Sequence, residues 1–341
     1  MNRIESVEQL ESLLSEPTPG VIDTFARIEG DILLLGVAGK MGPTLARMAR
    51  RASDAGGTKR RIIGVARFSN PAQQRALEEH GIETLRCDLL DEAAVDALPE
   101  APNVIFMAGM KFGAAGNEAL TWAMNGYVPA LVSRKFARSR IVAFSTGNVY
   151  GLVPIQSGGS READTPNPVG EYAMSCLARE RIFEYFSARL KIPLALIRLN
   201  YACEMRYGVL VDLAQRVWQE QPIDLAMGHL NTIWQGDANA MTLQALAHTA
   251  SPPVVLNMTG PELLSVREVC IHFGKQMSKS VHFIGTEASS ALLNNAERGF
   301  ELFGKPRVST EQLIECVANW VMRGGPTLGK PTHFESRDGK F

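Results

Sequence analysis

The stretch LLLGVAGKMGPTLA, residues 33–46, decides the fold. It sits inside a sharp change of pattern. DILLLGV (31–37) is short, apolar and rich in branched side chains, as a buried strand is. GPTLARMARRA (42–52) has helical spacing and starts with Pro43, whose missing N–H is harmless in a first turn. Between them stand Gly36, Gly39 and Gly42. A strand that turns on glycines into a helix aims unpaired N–H groups at an anion, and the absent side chains let a pyrophosphate approach the backbone. The spacing is G-x-x-G-x-x-G rather than the commoner G-x-G-x-x-G. The turn is expected to hold a dinucleotide against Gly36, Gly39, Lys40, Met41 and Gly42, with Lys40 adding positive charge.

Outward from the turn, strand and helix keep alternating. RIIGVARF (61–68), ETLRCDLL (83–90), NVIFMAG (103–109), RIVAFST (140–146) and PLALIRLN (193–200) read as strands. PAQQRALEEHG (71–81), residues 118–139 and residues 171–190 read as helices, with a bend expected at Pro129. This order predicts an α/β protein: a Rossmann-type doubly wound parallel sheet with ligands at the carboxyl ends of its strands. After residue 200 the pattern loosens, which predicts a smaller interleaved C-terminal lobe. Four regions are expected. Residues 1–30 form an N-terminal helix and linker, with the linker at EPTPG. Residues 31–200 form the dinucleotide domain. Residues 201–325 are mainly a substrate-binding lobe, with some segments returning to the Rossmann domain. Residues 326–341 form a C-terminal tail that either covers a neighbour or stays disordered.

The 341 residues are 45% hydrophobic and 21% charged, ordinary for a globular chain, and the formal net charge is −1. That balance offers no general attraction to nucleic acid or to an anionic membrane. No apolar run approaches a membrane span, and the polar start of the chain is unlike a signal peptide. The five cysteines and six histidines lack metal-ligand spacing. No metal, no nucleic acid and no membrane are expected, and the cytoplasm is the expected location. The second strand ends GVARFSN with Arg67 and no acid, which favours a 2′-phosphate and so NADP over NAD.

Further landmarks follow in order. CDLLD carries Asp88 and Leu89. VIFMAGMK carries Ala108, Gly109 and Lys111. AMNGYVP carries Asn125. FSTGNVYG carries Thr146 and Asn148. GEYAMSC carries Tyr172 at the start of a long helix with Glu180 on it. Together with the glycine turn they resemble the extended short-chain dehydrogenase/reductase family, the NAD(P)-dependent sugar epimerases and dehydratases, over residues 31–325. VIFMAGMK is similar to the corresponding segment of the UDP-galactose 4-epimerases. The resemblance implies that Asp88 bonds the adenine, that Ala108 and Gly109 lie behind the nicotinamide half of the cofactor, and that Asn125 matches a family asparagine on the following helix and belongs to the cofactor site. It also implies that Thr146 and Tyr172 handle the substrate oxygen and its proton. It further implies a homodimer formed through the helix of Tyr172 and the one before it, with Leu177, Ile182, Phe183 and Phe186 as contacts or as sheet-facing residues.

Two departures stand out. Four residues after the tyrosine the family has a lysine, and this chain has Cys176. A neutral thiol supplies no positive charge, so Lys111 is the first candidate to replace it and Arg179 the second. The family's RPxNVYGP appears as IRLNYACEMRYG, with Asn200 one position early. Asn148, Asn200, Glu204 and Arg206 are the expected substrate contacts. The expected function is NAD(P)-dependent oxidoreductase, epimerase or dehydratase chemistry on a hydroxyl or carbonyl carbon of a small polar substrate, sugars included, with Tyr172 passing the proton. The alternative is a non-catalytic NAD(P)-binding sensor of the same fold.

Overall fold

The computed structural model describes residues 4–110 and 116–339. Seven strands form the central sheet: β1 (Ile32–Leu35), β2 (Ile62–Ala66), β3 (Glu83–Arg86), β4 (Asn103–Phe106), β5 (Arg140–Thr146), β6 (Leu194–Leu199) and β7 (Val254–Met258). All pair in parallel, in the order β7-β6-β5-β4-β1-β2-β3. The chain winds outward from β1 through β2 to β3, then crosses back to β4 on the other side of β1. That reversal opens a crevice at the carboxyl ends of β1 and β4, where such sheets bind ligands.

Helices cover both faces. They are α1 (Val7–Leu14), α2 (Pro19–Arg27), α3 (Gly42–Ala55), α4 (Pro71–Glu78), α5 (Glu92–Asp96), α6 (Glu118–Trp122), α7 (Val128–Lys135), α8 (Gly170–Leu190), α9 (Val209–Trp218), α10 (Gln235–Gln244), α11 (Val266–Met277), α12 (Glu297–Phe303) and α13 (Thr310–Met322). Alternation along β1 serves both faces. Ile32 and Leu34 join the apolar layer with α2, α3 and α10, while Leu33 and Leu35 join the layer with α7 and α8. A third core fills the C-terminal lobe between α9, α11 and α13.

The expected linker EPTPG, residues 16–20, instead runs into a second helix. Thr18 caps α2 by accepting from the Val21 N–H, and Pro19 occupies the first turn, where it fits. Helix α1 is not a loose appendage. Leu10 and Leu14 are buried in the lobe's core. Asn239 donates to the Leu14 carbonyl at 3.1 Å, and Arg323 donates to the Ile4 carbonyl. The described part of the tail packs onto the lobe. Phe334 is buried, Thr332 bonds Asp212 through both its N–H and its hydroxyl, and Arg337 donates to the Ala226 and Ser290 carbonyls. No described helix is long and apolar enough to cross a membrane.

Candidate active site

The glycine turn is as tight as its sequence implies. A Cβ on Gly36 would lie 2.7 Å from the Ala108 nitrogen, and one on Gly42 would lie 2.0 Å from the Val37 oxygen. Gly36 also has φ +91°, which side chains disfavour. Gly39 is exposed, and its Cβ position meets only the Gly36 oxygen at 3.3 Å. Helix α3 starts at Gly42 with no side-chain cap from Met41, so its first N–H groups are left for a ligand. These features fit a dinucleotide phosphate. Lys40 is held away from a purely phosphate-facing pose, because its Nζ sits 3.2 Å above the centre of the Tyr207 ring. Arg67 and Asp88 are exposed past the ends of β2 and β3, and Leu89 is buried beside them. Asp88 caps its own turn by accepting from the Leu90 N–H at 3.1 Å.

Three elements converge beside the crevice. Strand β5 ends at Thr146, whose hydroxyl caps the short turn Gly147–Val149 by accepting from the Asn148 N–H at 3.2 Å. Helix α8 begins at Gly170 and presents Tyr172 in its first turn, with no side-chain cap. The Tyr172 hydroxyl is close enough to the side chains of Thr146 and Cys176 for both to shift its titration. Burial pushes its pKa well above that of a free tyrosine, the neighbouring Cys176 adds to the rise, and Arg179 and Thr146 pull the other way. Cys176 is fully buried in a small cluster with Val149 and Tyr150.

Asn125 ties these elements together. It lies in a widened turn, Ala123–Tyr127, with i→i+5 bonding, wedged between α6 and α7. Pro129, just beyond, lacks the N–H that would continue regular bonding. The Asn125 amide clamps the loop after β4, accepting from the Met110 N–H and donating to the Met110 carbonyl, both at 3.1 Å. It also donates to Ser175 Oγ at 2.9 Å, and Ser175 Oγ in turn donates to the Tyr172 carbonyl at 2.9 Å. Lys111 lies outside the described residues.

Below the pair a buried ion pair fixes β5. Glu180 accepts from Ser145 Oγ at 2.5 Å and from Arg198 Nε and Nη2 at 3.0 and 2.7 Å. Arg198 Nη1 also donates to the Tyr150 hydroxyl at 2.6 Å. Burial pushes Tyr150 up to about 12 in spite of Arg198, so it stays protonated at neutral pH.

The expected substrate residues separate. Asn148 touches the Thr146 hydroxyl at 3.4 Å and remains beside the crevice. Asn200 is buried and spends its amide on Asn231 Oδ1 at 2.9 Å. Glu204 and Arg206 bond one another at 3.0 Å, and Arg206 also reaches Glu11 of α1 at 3.0 Å. Phe183, one of the two-way candidates for a dimer contact, faces the sheet, its ring 5.3 Å from that of Phe106. The large apolar side chains that α8 exposes are instead Met174, Tyr185 and Leu190.

A glycine turn at the switch point and a hydroxyl pair on β5 and α8 define a Rossmann-type α/β protein with a candidate active site at the sheet's carboxyl edge. The family model "NAD dependent epimerase/dehydratase family" matches residues 32–203, and the chain belongs to that NAD-dependent family. Solved structures share the fold at low identity. The UDP-glucose 4-epimerase of Thermotoga maritima, solved with UDP-glucose, has a TM-score of 0.71 at 15% identity, covering 86% of this chain and 99% of its own. The UDP-glucuronic acid 4-epimerase of Bacillus cereus, solved with UDP-glucuronic acid and NAD, has 0.69 at 17%, covering 86% and 99%. The dTDP-glucose 4,6-dehydratase of Bacillus anthracis, solved with NAD, has 0.72 at 15%, covering 86% and 97%. No curated protein matches the chain.

Proposed function

We propose that the protein is an NAD(P)-dependent epimerase, dehydratase or reductase acting on a hydroxyl or carbonyl carbon of a small polar, sugar-like substrate. The observation that carries this reading is the approach of Tyr172 to Thr146 at the carboxyl edge of the sheet that bears the glycine turn. The bound cofactor would supply hydride transfer at its nicotinamide ring. Gly36, Gly39 and Gly42 would hold its phosphates, and Ala108 and Gly109, on the loop that Asn125 clamps, would line its nicotinamide half. Thr146 would orient the substrate oxygen and Tyr172 would exchange the proton on it. With its pKa raised, Tyr172 is better suited to donating a proton to a carbonyl than to removing one. Exposed Arg67, with no acid at the end of β2, supports NADP over NAD. The structural relatives' ligands make nucleotide sugars the first substrates to try. The second reading, a non-catalytic NAD(P) sensor, is favoured by Cys176 in the place of the family's lysine.

The test is binding of NADH and NADPH by fluorescence, then turnover of UDP-glucose, UDP-glucuronic acid, dTDP-glucose and simple carbonyls. Binding is expected, with NADPH tighter, and Tyr172→Phe should lower kcat by roughly 10²–10⁴. Failure to bind either cofactor, or turnover that Tyr172→Phe leaves untouched, defeats the proposal.

A further inference from the structure

Among the described residues, one buried cation in this site makes no ion pair. Arg179 is 5% exposed. Its Nη1 donates to the Phe144 carbonyl at 2.8 Å and its Nη2 donates to Asn125 Oδ1. The guanidinium lies 5.5 Å from the centre of the Phe106 ring, and Nε is buried with no partner. All of these partners are neutral, and among the described residues Arg179 makes no ion pair. A guanidinium taken out of water without an anion is costly, so its place calls for a negative charge that arises nearby.

Helix geometry identifies that charge. Seven residues are almost two full turns, so Arg179 falls on the face of Tyr172 and Cys176. Long helical side chains lean back toward the N-terminus, which carries this guanidinium toward the turn below Tyr172. Cys176 is small enough to let it pass. Gly109 is required for the same reason, since a Cβ there would lie 2.3 Å from Nη2. Among the described residues, other charged groups on and around α8 are engaged elsewhere: Glu180 and Arg198 pair together, Arg181 pairs with Glu184, and Glu171 accepts from Trp122 Nε1 at the surface.

We propose that Arg179 replaces the family's lysine as the fixed positive charge that stabilises the Tyr172 phenolate, reaching back along α8 over Cys176. It is a positioning residue that acts through Tyr172. The inference rests on the reading that Tyr172 exchanges a proton, yet it can be tested without turnover.

Tyr172→3-nitrotyrosine places a chromophore there that ionises in a convenient range, and its absorbance is titrated in the protein without added substrate. Adding Arg179→Gln should raise the midpoint by roughly 1–3 pH units, the size of an opposite charge's effect at close range. Arg179→Lys should restore most of that shift. Gly109→Ala provides a second route if Arg179→Gln does not fold, because it displaces the guanidinium without removing it; the midpoint should again rise. Midpoints that stay put in both Arg179→Gln and Gly109→Ala overturn the inference, as does a Lys variant no better than Gln. A turnover assay separates the two claims. If Tyr172→Phe abolishes turnover while the titration ignores Arg179, only this inference fails. If Tyr172→Phe is fully active, the proton-exchange reading fails.

Discussion

Two glycines three residues apart should fail in different ways when given a methyl group. In Gly42→Ala the new carbon would lie 2.0, 2.5 and 2.8 Å from the oxygen, carbonyl carbon and Cα of Val37. Ordinary contact is about 3.5 Å or more, so the turn must open by more than about 1 Å. The atoms in the way are backbone, which cannot swing aside as a side chain can. Overpacking of this kind costs about 1–3 kcal/mol, and it also breaks the cradle. In Gly39→Ala the carbon meets only the Gly36 oxygen at 3.3 Å, a contact relieved by a few tenths of an ångström. At that exposed position the loss of stability should stay within about 0.5 kcal/mol. The methyl group would nevertheless stand on the open side of the turn, where a phosphate must come close. A tenfold loss of NADH or NADPH affinity, about 1.4 kcal/mol, is the expected result. Urea denaturation and NADH fluorescence titration of both variants measure the two quantities separately. Equal destabilisation of the two, or undiminished binding by Gly39→Ala, would refute the assignment of the turn.

Arg198→Met strips the cation from fully buried Glu180 and should cost about 3–5 kcal/mol in urea denaturation. Adding Glu180→Gln should recover part of it, with a coupling of about 0.5–3 kcal/mol; strictly additive effects would show the pair to be uncoupled. Tyr150 bears on alkaline stability. Its folded pKa, about 12, lies above its unfolded value. The stability it contributes is whole below about pH 10 and drains as pH rises toward the folded value, on the order of 3 kcal/mol in all. Tyr150→Phe, which cannot ionise, should therefore lose stability less steeply between pH 8 and 11, and parallel curves for the two proteins would contradict this.

The alternation of strands and helices, the glycine turn and the approach of Tyr172 to Thr146 could all be read from the chain, because each depends on local pattern and order. Helix α2 could not: TPG looks like a breaker until Thr18 and Pro19 are seen as a cap and a first turn. The fate of Glu204 and Arg206 was hidden too, since Arg206's second partner, Glu11, is nearly two hundred residues away and belongs to an element that looked accessory. Arg179 was visible as a neighbour of Cys176, yet its burial among neutral partners was not. Spacing gives the face of a helix, whereas the backward lean of a long side chain and the missing carboxylate around it are facts of packing.

Helix α1 has a consequence for how the protein is made. Its apolar side joins a core built with α9 and α13, and it is bonded through Glu11 to Arg206 and through the Leu14 carbonyl to Asn239. Helix α1 therefore waits for partners translated some two hundred residues after it. Until the lobe emerges, Leu10 and Leu14 have nowhere to settle, and an early-folding sheet domain would leave them in water. The closing of α1 onto the lobe is thus a late, long-range event in the life of the nascent chain, and the step most open to capture by a chaperone.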